Sequence, residues 1–308
     1  MSGSLVIVVS YLLLAVFIAA FVVRTVRMAK QPVHLRWELS PVPHEKGKGS
    51  YGGSYLEEFE WWTKPREKSL PAELIYMFLE IVFLKSLWEH NRRLWWFSFP
   101  LHFGLYLLIV MAAVLLVSTL LGLVGVPVSD YAWLREGVLA FAALGYLLGG
   151  FGAIGLLASR LSDSRLKGFT SAATLLNLAL LLAMFASGGF AIVASDYFAG
   201  MLSDLTALFT AGQSTAPFDV VTVHLGFVFL FLAYLPFSQM MHFVAKYFTY
   251  HNVRWDDAPL VPGSRLERKI QRLLNQPVTW SASHLKTDGK KNWVDLATED
   301  VPTKETPK

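Results

Sequence analysis

Five long uncharged stretches dominate the pattern of hydrophobic and polar positions along the chain. They are Leu5–Val23, Leu94–Ser129, Gly137–Ser159, Gly168–Ser195 and the 26 residues between Asp219 and Lys246. Each has at least the ~18 residues that a membrane-spanning helix needs. The pattern predicts an all-α membrane protein with five transmembrane helices. The run from Leu94 is too long for one helix, so its end, GLVGVPVS, is expected as a loop outside the cytoplasm.

The intervening segments complete the division. Residues 1–27 are expected as the first transmembrane helix, and 28–93 as a cytoplasmic loop. Residues 94–246 form a four-helix membrane core, and 247–308 a cytoplasmic docking tail. The first half of the loop, HLRWELSPVPHEKGKGSYGGSY, is rich in Pro, Gly and charge and reads as irregular. The stretch PAELIYMFLEIVFLKSLWEHNRR is apolar but carries Glu73, Glu80, Lys85 and Glu89, as an interfacial amphipathic helix would. In the tail a short basic helix is expected from about Ser264 to Leu274. Gly145 and Gly149 in the third span have the spacing that lets helices approach closely, a packing role.

Composition agrees: 54% hydrophobic residues and a mean hydropathy of +0.44 exclude a soluble globular chain. Charge then orients it. Of the 27 Lys and Arg, all but Arg135 fall in residues 24–93, 160–167 and 246–308, on one side of the five spans. The positive-inside rule places the N-terminus outside and the C-terminus in the cytoplasm, in the cell's inner (cytoplasmic) membrane. The pI near 9.1 reflects that bias and gives no reason to expect nucleic acid. With no cysteine, the chain holds no iron–sulfur cluster of its own, so a partner must bring any that take part.

Candidate chemistry lies in three histidines inside the spans. His224 and His242 are 18 residues apart, five turns of one continuous helix, so both imidazoles leave the same face roughly 27 Å apart. That geometry suits two stacked haems. His102, nine residues past Arg93 in the second span, lies on the same cytoplasmic half as His242, and two such histidines can ligate one iron axially. Arg92 and Arg93 stand where haem propionates would emerge, and also serve as ordinary positive-inside residues. Arg135, beside Trp133, either anchors its helix or meets a quinone carbonyl. Asp196, Asp204 and Asp219, in the expected outer loop 196–219, take up protons near an outer quinone or are simply solvated. His34, His44 and His90, isolated in the loop, read as structural or solvated.

Five spans, a His pair 18 apart on the fifth and a His at the cytoplasmic start of the second resemble the nitrate reductase gamma subunit family over about residues 80–250. The strings RWELSPVPHE and WDDAPLVPGS…QPVTWSA look more like its DsrM branch, which holds cytochrome b subunits of sulfur-metabolising complexes, including TmcC. The resemblance implies haem b, a menaquinone pool outside, and a cytoplasmic iron–sulfur subunit of the heterodisulfide reductase type, DsrK in the case of DsrM. It leaves room for further periplasmic and membrane subunits. It also implies that His102 pairs with His242 on an inner haem and that His224 belongs to an outer one. Where the family has a second histidine on span two, this chain has Met111 and Ala112. The outer haem therefore depends on Met111 or another weak ligand, is five-coordinate, or is absent, and Met111 serves equally as lipid-facing packing.

The expectation is an electron-transfer subunit in sulfur-compound respiration, with no catalytic side chain of its own. The alternatives are a gamma-type cytochrome b of another respiratory oxidoreductase and a haem-poor anchor that only docks soluble subunits. A transporter is disfavoured, because the spans carry no Asp, Glu, Lys or Arg at mid-depth.

Overall fold

The computed structural model describes residues 3–30, 42–48, 54–65, 67–212, 218–251, 255, 260–281 and 287–299. His34, and the parts of the two family-like strings at 36–41, 256–259 and 282, lie outside the described residues. In chain order the helices are α1 (Gly3–Ala29), α2 (Leu70–Val82), α3 (Lys85–His90), α4 (Arg92–Leu123), α5 (Ala132–Ser162), α6 (Ala172–Ala194), α7 (Tyr197–Thr210), α8 (Val220–Tyr234), α9 (His242–Thr249), α10 (Arg265–Leu274) and α11 (Trp293–Thr298). Among the described residues the architecture is all-helical. Five helices (α1, α4, α5, α6 and α8 with the turn that extends it to Phe237) are long and apolar enough to cross a membrane. The chain is a multi-pass membrane protein by these criteria.

Residues 1–25 and 74–243 make one compact unit, and 26–73 with 244–308 a second. The end of α2 and all of α3 belong to the first unit.

In the first unit α4 and α5 pack closest, along a glycine stripe. A Cβ on Gly104 would lie 2.5 Å from the Gly149 nitrogen and 2.6 Å from the Gly145 carbonyl oxygen, and one on Gly152 would lie 2.5 Å from the Leu101 nitrogen. The stripe lets the two backbones touch, as the spacing of Gly145 and Gly149 predicts. Residues 196–219, read from the sequence as a loop, contain α7, whose Tyr197, Phe198, Met201 and Leu205 enter the buried core. Asp196 and Asp219 accept from backbone N–H groups at the starts of α7 and α8, and buried Asp204 accepts from Thr222 Oγ1 at 2.9 Å. All three carboxylates hold helices in place.

The fifth span is not the continuous helix expected. It ends at Tyr234, passes through a 3-10 turn at Leu235–Phe237, becomes extended at Ser238 and makes a second such turn before α9 starts at His242. Pro236 has no N–H for the helical ladder. Ser238 Oγ takes over locally, donating to the Leu235 carbonyl and accepting from Met240 N. Arg24 of α1 donates to the Pro236 carbonyl and, at 3.2 Å, to that of Ser238. The expected interfacial helix is also two helices. Leu84 has φ 52°, and buried Glu80 accepts from Ser86 N and Oγ, both at 2.9 Å, closing the start of α3.

In the second unit the described loop residues are tied together. Buried Glu45 accepts from Ser54 Oγ at 2.8 Å and from Tyr55 N at 2.7 Å, and bridges to Lys68 through the backbone. Glu73 accepts from His251 Nε2 at 2.8 Å and lies 3.9 Å from His44 Nδ1, which makes His44 structural. The tail carries α10, capped by Ser264.

Candidate functional site

Two of the candidate residues meet. His102, on α4, and His242, at the first position of α9, have ring centres 6.0 Å apart and planes inclined at 73°. The span breaks after Tyr234, so His242 meets His102 from the start of a separate helix and not from a continuous one. Each ring is oriented by its own backbone: His102 Nδ1 lies 2.7 Å from the Ser98 carbonyl oxygen and His242 Nδ1 lies 3.3 Å from that of Gln239. Donation from Nδ1–H to a carbonyl selects the tautomer with the lone pair on Nε2, the usual arrangement in metal-ligating histidines.

The spacing can be tested against an iron. Two metal–imidazole bonds of ~2 Å in line, with ~1.2 Å from each nitrogen to its ring centre, put the ring centres ~6.4 Å apart, a few tenths of an ångström beyond the separation seen. Two imidazoles are too few to hold a bare ion, and among the described residues no group of three or more His, Cys, Asp or Glu gathers for one. They suit a group that brings four equatorial nitrogens with it. His102 and His242 therefore fit a haem and are the residues that would hold it.

His224 does not fit. It is 1% exposed, with Nε2 at 2.8 Å from Tyr146 Oη on α5 and Nδ1 at 2.9 Å from Ser187 Oγ on α6. Both ring nitrogens are engaged by hydroxyls of the protein. Tyr146 Oη is in turn 2.7 Å from Tyr197 Oη on α7, which lies 3.6 Å from the Met111 sulfur on α4. Met111 is buried and belongs to this network through Tyr197, so it does not face lipid. Gly188 clears the space for the Tyr146 ring, which a Cβ there would strike.

The three arginines each have a partner. Arg92 lies over the Trp88 ring, 4.3 Å from its centre. Arg93 is 3.5 Å from an Asp163 oxygen, and Arg135 is 3.6 Å from one of Asp196. Asp163, in the connection after α5, also accepts from Arg165, whose hydrogen bonds hold its carboxyl down at about 2. Sequence reasoning missed Tyr146, Ser187, Tyr197, Pro236 and Arg24. A signal existed for two of them: a tyrosine at mid-span instead of the interface, and a proline inside the fifth apolar run.

No protein-family model, curated protein or solved structure matches the chain.

Proposed function

We propose that the chain is a membrane cytochrome b subunit. It carries electrons between menaquinol or menaquinone and a cytoplasmic iron–sulfur partner of the heterodisulfide reductase type, in sulfur-compound respiration. The observation that supports this reading is the facing pair His102 and His242, ring centres 6.0 Å apart, each imidazole tied through Nδ1 to a backbone carbonyl. Haem b, when bound there, supplies the one-electron chemistry.

The chain's own residues hold and orient. Ser98 and Gln239 carbonyls keep the two imidazoles in the ligating tautomer and raise their basicity. Arg24 bonds the carbonyls that the helix break leaves without ladder partners, and so fixes the start of α9. Arg92 and Arg93 open α4 at the end of the span nearer His102 and are the cations that would meet propionates. The concentration of Lys and Arg supports the cytoplasmic face for this end, where an iron–sulfur partner would dock. Arg135 opens α5 at the opposite face and is the candidate contact for a quinone carbonyl.

A pyridine haemochrome assay on the purified chain tests the proposal. Haem is expected in the wild type, and its absence rejects the cytochrome reading.

A further inference from the structure

We infer that His224 is not an iron ligand but the switching element of a metal-free proton relay, Ser187–His224–Tyr146–Tyr197–Met111. The relay joins α4, α5, α6, α7 and α8, and each link is a contact between side chains. Tyr146, Tyr197, Met111 and His224 are each 5% exposed or less, so no bulk water competes for these contacts.

The argument is a count of protons. Ser187, Tyr146 and Tyr197 bring one hydroxyl proton each, and a neutral imidazole brings one more. Against these four protons stand five contacts. Ser187 Oγ meets the Met184 carbonyl at 3.0 Å and His224 Nδ1 at 2.9 Å. His224 Nε2 meets Tyr146, Tyr146 meets Tyr197, and Tyr197 meets the Met111 sulfur. One contact is always without a proton, and which one it is sets the direction of the chain.

In the first arrangement Ser187 donates to the Met184 carbonyl, His224 donates from Nδ1 to Ser187, Tyr146 donates to Nε2, and Tyr197 donates to Tyr146. In the second, Ser187 donates to Nδ1, His224 donates from Nε2 to Tyr146, Tyr146 donates to Tyr197, and Tyr197 donates to the Met111 sulfur. A proton delivered to Tyr197 by a hydronium ion that reaches the Met111 end, and another released from Ser187 to a water molecule at the Met184 end, convert the first arrangement into the second. Each resident proton moves along by one bond and the net charge is unchanged. Rotation of the hydroxyls and re-seating of the imidazole proton restore the first. Histidine is the side chain suited to this step, since its two nitrogens exchange donor and acceptor roles. A thioether is a weaker acceptor than a carbonyl, so the first arrangement prevails at rest.

The test is the tautomer of His224. The full chain, labelled with nitrogen-15 histidine, is placed in lipid bilayers, and the tautomer is read by solid-state NMR after reduction with dithionite. H224Q assigns the signal. The wild type is expected to show mainly the Nδ1–H form. Y197F removes the Met111 end and is expected to leave only Nδ1–H. S187A removes the other end and is expected to invert the ratio to mainly Nε2–H. The same tautomer in Y197F and S187A overturns the relay. So does a wild type with two haems per chain that falls to one in H224Q. A chain without haem that still inverts its tautomer rejects the cytochrome reading and leaves the relay standing.

Discussion

At one end of the bundle His102 and His242 face each other, with their Nδ1 atoms held by backbone carbonyls. About 13 Å further along α4, Met111 joins through Tyr197 a network in which His224 has a hydroxyl on each ring nitrogen. Residue type and membrane setting are the same. What differs is the source of the second-layer bonds. A backbone carbonyl occupies one nitrogen and fixes the other as a lone pair. Two side-chain hydroxyls occupy both and leave the ring reversible. Histidine chemistry in a membrane is thus assigned by neighbours, and the spacing of histidines along the chain does not decide it.

The largest test of that contrast is haem content. His242→Ala is expected to abolish haem binding and the low-spin spectrum, whereas His224→Gln keeps both. Equal loss in the two variants would erase the distinction. Next, Gly188→Ala forces the Tyr146 ring out of its place. It is expected to lower stability by ~1–3 kcal/mol in detergent unfolding, the usual cost of overpacking, with haem retained. Arg24→Ala works on the other end alone. The Pro236 and Ser238 carbonyls lose a charged donor, a loss of about 1.5–3 kcal/mol for such a bond. Haem transfer to apomyoglobin should then run faster while the His224 tautomer is unchanged. The smallest effect concerns Asp163, which lies near the start of α4 through Arg93. Its carboxyl is held at about 2 by Arg165, against an unfolded value near 4. The contribution is therefore complete above pH ~4 and fades as pH falls through about 2. A carbon-13 titration of that carboxyl should show no inflection between pH 3 and 8.

Much of the scaffold was readable beforehand. The bilayer demands long apolar helices, and four of the five spans follow the uncharged runs closely. Gly145 and Gly149 likewise announced close packing, and the α4–α5 contact uses them. The site was half readable. His102 and His242 were paired by depth, and they do meet, but for a reason the straight-helix argument lacked. That argument gave His224 and His242 one face across five turns, and Pro236 and Ser238 interrupt the turns. Residues 196–219 looked like loop because their apolar positions are too few for a span. Their helical face is nevertheless buried, and it carries Tyr197 to the relay.

By itself the sequence determined what depends on one segment at a time: the number of spans, their lengths, the asymmetry of charge and the absence of any thiolate ligand. Each follows from the cost of placing a polar group in hydrocarbon, a property of local composition. Only the tertiary structure decided which histidine nitrogens meet a carbonyl and which meet a hydroxyl. Those partners come from α4, α5, α6 and the turn before α9, brought together by a glycine stripe, a broken helix and an arginine on α1. A proton's choice between two acceptors is settled over a few ångströms, a distance that only the packed fold defines.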